Sequence, residues 1–170
     1  LNWITNQLAA ARQQGKFVIG MMHHGLIEHF PAQKALFPDY VVEDNERLAE
    51  LFAGYGLGLV FTGHYHAQDV VAASFARGRI VEVETGSAVT FPCPYRLLTL
   101  QANGDLVLTS HSITTIDADL GGVPFPTYAS NFITAGVTGI ATYMLINPPY
   151  NLPLPSAQFL APAFAEGIVA

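Results

Sequence analysis

Hydrophobic spacing changes period several times along this chain, and each change marks a predicted element. Leu1, Ile4, Leu8 and Ala11 fall on one helical face, Gln7, Arg12, Gln13 and Gln14 fall largely off it, and Gly15 suits the position just past a helix end. A helix is therefore predicted over 1–14. Lys16 to Met22 is nearly continuous apolar sequence, the pattern of a strand covered on both faces. Gly25 to Tyr40, interrupted by Pro31 and Pro38, reads as a long irregular segment, and Val42 to Tyr55 as a helix. Leu48, Leu51 and Phe52 form that helix's apolar side, with Glu43 and Asp44 near its positive end and Gly54 or Gly56 past its last turn. Gly56 to Phe61 is a second buried strand. Strand, helical crossover and strand together predict a right-handed unit with the two strands parallel.

After His66 the period becomes two. Asp69 to Phe75, Arg79 to Glu84, Tyr95 to Gln101 and Leu106 to Ile113 read as strands, with hairpin turns at 76–78 and 102–105. They are predicted to pair antiparallel, as one sheet of a sandwich. From Ile116 the texture shifts to Gly, Pro and Thr, with prolines at 124, 126, 148, 149, 153, 155 and 162 and a helix expected over Tyr128 to Leu145. No internal repeat or low-complexity tract is visible.

Composition narrows the function classes. Charged residues make up 12% of the 170, about half the usual share, while 51% are hydrophobic, so the surface is either unusually neutral or partly covered by something else. A net charge of −6 with seven Lys plus Arg argues against a nucleic-acid backbone as partner, because counterion release needs clustered cations. The single cysteine, Cys93, excludes an internal disulfide and is expected to be a small buried thiol. The most membrane-like stretch, Ala135 to Ile146, is too short to cross a bilayer, so no membrane span is expected. The chain opens at Leu1 without an initiator Met or a cleavage-site pattern, which predicts that it lies inside something longer or follows processing.

Candidate chemistry sits where the two buried runs end. The first ends in His23-His24-Gly25, and the second, about forty residues on, in Thr62-Gly63-His64-Tyr65-His66. Neighbouring parallel strands ending this way bring imidazoles together at the carboxyl edge of a sheet, where open α/β sheets bind ligands, and Gly63 is expected to permit the sharp turn. His24 is placed beside the site, holding its neighbours, with an ordinary strand-end histidine as the alternative. His29, on the irregular segment, is a candidate for substrate contact or proton donation, with a solvent-exposed loop histidine as the alternative. Asp69 is expected in a salt bridge or turn cap, and His111 as an ordinary strand histidine.

Strand-HH, a helical interval, strand-GHYH and a downstream Gly86-Ser87 resemble the C-terminal half of the calcineurin-like metallophosphoesterases over residues 1 to 113. MMHHGLIEH and GLVFTGHYHAQDV are closer still to a secreted bacterial subgroup similar to cyclic-nucleotide phosphodiesterases and purple acid phosphatases. The resemblance implies an α/β fold, a portion of a four-layer αββα sandwich. Residues 1–115 would be the C-terminal half of the catalytic domain, and 116–170 a Pro-rich, partly helical appendage packing on it. It implies two transition-metal ions, Zn, Mn or Fe, with His23 and His64 on one and His66 on the other, and His24 and His29 in catalytic roles. Gly86-Ser87 would approach the metal edge. Two ions roughly 3.5–4 Å apart hold a bridging hydroxide that attacks the phosphoester.

The family's Asp-x-His, Gly-Asp-x-x-Asp and Gly-Asn-His-Asp/Glu motifs do not occur in this sequence. Their ligands would come from an N-terminal half of the same protein, and the 170 residues alone are expected to be inactive. The implied activity is hydrolysis of small phosphodiesters, cyclic nucleotides or related compounds. Phosphomonoester hydrolysis is the enzymatic alternative, and a non-catalytic binding or structural domain the alternative from another class. The implied location is periplasmic or extracellular, with the cytoplasm left open.

Overall fold

The structure, a computed structural model, describes residues 1–169, and the chain divides into two compact units, Leu1–Ser87 and Ala88–Ala170. The first unit runs α1 (Asn2–Gln13), β1 (Ile19–Met21), a single helical turn α2 (Gln33–Leu36), a 3₁₀ turn (Pro38–Tyr40), α3 (Asn45–Gly54), β2 (Leu59–Thr62), β3 (Asp69–Phe75) and β4 (Gly78–Glu84). Its four strands form one mixed sheet in the order β1-β2-β4-β3. β1, β2 and β4 are parallel, and β3 returns antiparallel to β4.

This placement corrects the expected all-antiparallel sheet. β3 and β4 do form a hairpin, but Ile80, Glu82, Val83 and Glu84 bury both faces of β4, which suits an interior position beside β2. β3, with alternate residues exposed, takes the edge. β1 is corrected as well: it is three residues long, and Ile19 and Met21 (85% exposed) leave one side of it open where a strand covered on both faces was expected.

The other side of the sheet carries the core. Gly20 is paired with Val60, Val60 with Glu82, and Ile80 with Ala73, so Gly20, Val60, Ile80 and Ala73 share this face, which packs with Leu8 of α1, Leu57, and Ala49, Phe52 and Ala53 of α3. At Gly78 the helix comes so close that an added Cβ would meet the Ala53 carbonyl, so glycine is required there. Toward the carboxyl ends of β2 and β4 the same face turns polar, as Val60 gives way to Thr62 and Ile80 to Glu82 and Glu84, with Asp69 paired beside Glu84. That polar end positions the site.

The second unit contains β5 (Pro94–Leu100) and β6 (Leu106–Ser112), a separate antiparallel pair, followed by α4 (Phe125–Ile146) and α5 (Leu154–Val169). α4 extends beyond the predicted helix at both ends, and α5 was not predicted at all. The prolines explain both. Pro124 caps α4 and Pro126 lies in its first turn, where a missing N–H costs nothing; Pro155 stands likewise at the start of α5, and only Pro162 lies inside it. Threonine, a poor helix former, is accommodated in α4 because the Thr138 and Thr142 hydroxyls donate to the carbonyls of Thr134 and Thr138. Ala157, Ala161 and Ala165 recur every fourth residue and are fully buried, and Ala157 and Ala161 pack with Leu145 and Ala141, letting the two helices lie close. Cys93 is buried and unpaired, and burial raises its thiol pKa. The molecule as described is mixed α/β.

Candidate functional site

His23 follows β1 and His64 follows β2, and parallel pairing of these strands carries the two rings to the same sheet edge. His64 Nδ1 lies 2.8 Å from His23 Nε2. His24 completes the cluster, its ring centroid 5.2 Å from that of His23 and 4.4 Å from that of His64. His66 is exposed and stands near enough for its charge to act on His64. Desolvation first, then the charges of His24, His23 and His66, lower the His64 pKa, which favours the neutral ring with an available lone pair.

The turn carrying these rings is made differently from expectation. Gly63 does not adopt a left-handed conformation; His64 and His66 do, at φ 66° and 61°. The Tyr65 N–H donates to the Gly63 carbonyl at 2.7 Å, closing a three-residue turn centred on His64, an uncommon and strained form. Side chains other than glycine are held this way mainly where surrounding contacts enforce it, and such positions cluster at functional sites.

An aromatic wall flanks the cluster. Tyr40 packs on His64 at 4.6 Å and on Tyr65 at 5.3 Å, and Phe37 and Phe30 continue the stack from the segment after His24. That segment is well tied internally. The buried Gln33 accepts from the His29 N–H, Glu28 from the Lys34 N–H, and Lys34 donates to Asn45.

His29, expected above the site, instead has its ring 3% exposed among carboxylates. Nδ1 lies 2.9 Å from Asp69 Oδ2, and Nε2 lies 3.3 Å from Glu82 Oε1 and 3.5 Å from Glu84 Oε2. Burial alone would lower its pKa, but hydrogen bonds to Glu82 and Asp69 and the charges of Glu82 and Glu84 outweigh that and raise it. Asp69 is thus in the salt bridge expected of it. Glu82 is fully buried and accepts from the Leu26 and Ile27 amides at 2.9 and 2.7 Å and from the Thr62 hydroxyl at 2.7 Å. Burial pushes the Glu84 carboxyl up to about 6, opposed by His29, reinforced by the Glu82 charge, and opposed again by the Ala67 and Tyr65 amides. Gly86 donates its N–H to Gln68, and His111 in the second unit stacks on Tyr95 and lies 3.2 Å from Thr109.

Sequence reasoning missed Glu82 and Glu84. Their alternation with Val81 and Val83 reads as the wet side of a half-buried strand, and nothing local announces that the segment after His24 closes over it.

Neutral imidazole suits borderline ions such as Zn, Fe and Mn. On one tetrahedral ion with bonds of about 2.0–2.1 Å, two such nitrogens would lie roughly 3.3 Å apart. The His23–His64 pair therefore has the right donors at nearly the right spacing and needs only a small opening. Among the described residues, however, no group of three or more His, Cys, Asp or Glu side chains is arranged to close around an ion. No protein-family model matches the chain, and no curated protein matches it.

Proposed function

We propose that the first unit is the imidazole-bearing half of a metal-dependent phosphoester hydrolase, acting first on small phosphodiesters such as cyclic nucleotides and second on monoesters. The observation that carries this reading is the 2.8 Å approach of His23 and His64 from neighbouring parallel strand ends. In it, His23 and His64 hold one ion, His66 reaches a second, and His24 lies beside them to orient phosphate. The chemistry such ions supply when bound is activation of water and neutralisation of charge on phosphoryl oxygens.

The open side of the β1 edge, with Ile19 and Met21 exposed, supports the finer fold reading of one part of a four-layer αββα sandwich whose other half covers it. That half, part of the same protein, would bring the carboxylate ligands that this chain lacks, and secretion to the periplasm or beyond belongs to the same reading. A non-catalytic binding domain is the second reading, favoured by the lack of a three-donor group among the described residues.

Metal binding and hydrolysis of bis(p-nitrophenyl) phosphate and p-nitrophenyl phosphate, with Zn or Mn added, decide between them. We expect the 170 residues alone to take up at most one weakly held ion without turnover, and a protein that adds the missing motifs to hydrolyse the diester and to lose that activity on His64→Ala. An unchanged rate in that variant would overturn the metal assignment.

A further inference from the structure

Outside the imidazole cluster, the most completely organised polar group in the first unit is the buried carboxylate pair of β4. Glu82 and Glu84 are both inaccessible, point to the same side of the strand and lie beside the two segments that carry the histidines. Glu82 is tied to the first of these segments, and His29 faces both carboxylates. Glu82 takes the Leu26 and Ile27 amides, three and four residues past His23, and Gly25 lets that backbone lie close: a Cβ there would come within 3.3 Å of Glu82 Oε1. Glu84 lies 3.5 Å from the His29 ring, and its other oxygen, Oε1, is buried without a hydrogen-bond partner among the described residues. The His29 ring reaches both carboxylates through one nitrogen and Asp69 through the other, and Thr62, the last residue of β2, hydrogen-bonds Glu82.

We propose that Glu82 is a positioning residue, a buried anion that holds the segment after His23-His24 against the end of β2 that leads into His64-His66, with His29 as the cation that joins it to Glu84.

Three features argue for this over ordinary core polarity. Two carboxylates removed from water on one strand cost several kcal/mol unless they are paired and fully hydrogen-bonded, and Glu84 Oε1 has no partner among the described residues, so an apolar pair would have served packing better. The donors to Glu82 are the main-chain N–H groups of Leu26 and Ile27 and the hydroxyl of Thr62, which tie the backbone after His23-His24 to the strand end before His64. The segment after His24 leaves the sheet at the site and returns as Tyr40 against His64, so an error of register at Glu82 is carried to both sides of the cluster. The consequence for turnover rests on the phosphoester reading; the clamp itself does not.

Glu82→Gln and Glu84→Gln in the 170-residue chain, followed by amide hydrogen exchange and by histidine ring chemical shifts without metal, test the clamp separately from catalysis. We expect exchange at Leu26 and Ile27 to rise by about tenfold or more in the first variant, as a charge-assisted acceptor is weakened, and to change less in the second, which leaves that acceptor in place. The His23 and His64 ring resonances should move in the first. A variant of merely lower stability would raise exchange throughout the sheet, and that outcome, or unmoved ring resonances, overturns the proposal. If either Gln variant fails to fold, Thr62→Val removes one donor to Glu82 without changing charge and should still loosen 26–27 selectively; uniform exchange there overturns it equally. Zn binding to the wild-type chain, measured in parallel, reports on the metal reading alone, since its failure leaves the exchange result standing.

Discussion

His64 and His66 occupy a backbone conformation that costs a residue with a Cβ about 1–2 kcal/mol relative to glycine. A residue kept at such a cost is selected for its ring. His64→Gly should therefore raise the stability of the first unit to urea, by about 1 kcal/mol once glycine's extra unfolded-state entropy is subtracted, while abolishing the imidazole contact. The opposite balance holds at His29. Its removal leaves buried carboxylates without their cation, a loss of about 3–5 kcal/mol for a pair of this kind, so His29→Ala should fold poorly where His64→Gly folds well. Equilibrium urea unfolding of the two variants side by side checks both. The difference also explains what could be read from residues alone. Strand-end histidines announce themselves by type and spacing, whereas the surroundings of His29 depend on Asp69, Glu82 and Glu84, at least forty positions away.

At the level of elements, β4 gives the first unit a definite response to pH. The folded-state pKa values of Glu84, near 6 against an ordinary 4.5, and of His29, above its ordinary 6.5, are both raised. At these two buried groups the folded state holds more protons than the unfolded one, so their contribution to stability falls as pH rises, while the lowered pKa of the more exposed His64 acts in the opposite sense below 6.5. For Glu84 the fall runs from about 4.5 through 6, and for His29 it begins near 6.5 and is complete only above the folded value. Thermal unfolding followed by circular dichroism should thus show a higher midpoint at pH 5 than at pH 8, with Glu84→Gln removing the more acidic part of the difference. α3, β2 and the β3–β4 hairpin were legible from periodicity, because each shows its own face or turn. The parallel pairing of β4 with β2 was not: pairing direction depends on which strand is covered on both sides, and β4 is covered by elements distant in sequence. The prolines misled in the same way, since a proline that starts a helix and one that prevents it differ only in position.

Across the whole molecule, the second unit exposes more apolar surface than a stable free surface carries. Sequence between Asp119 and Glu166 contains no Asp, Glu, Lys, Arg or His, and Phe132, Ile140 and Phe159 (82% exposed) lie bare on α4 and α5. We expect the purified chain to self-associate at micromolar concentration, and Ile140→Glu with Phe159→Glu to shift it toward monomer in sedimentation velocity without altering exchange protection in the first unit. The first unit's strand order carries a further consequence, in time. β3 and β4 meet across the two residues Ala76 and Arg77, so their pairing is local and forms early; β1 finds β2 only after the segment from Met22 to Gly58 has been closed. His23 and His64 lie on either side of that last seam. The imidazole edge is thus the final part of the sheet to assemble and the first to part, and a ligand bridging it would act as a late fastener, slowing unfolding far more than it speeds folding.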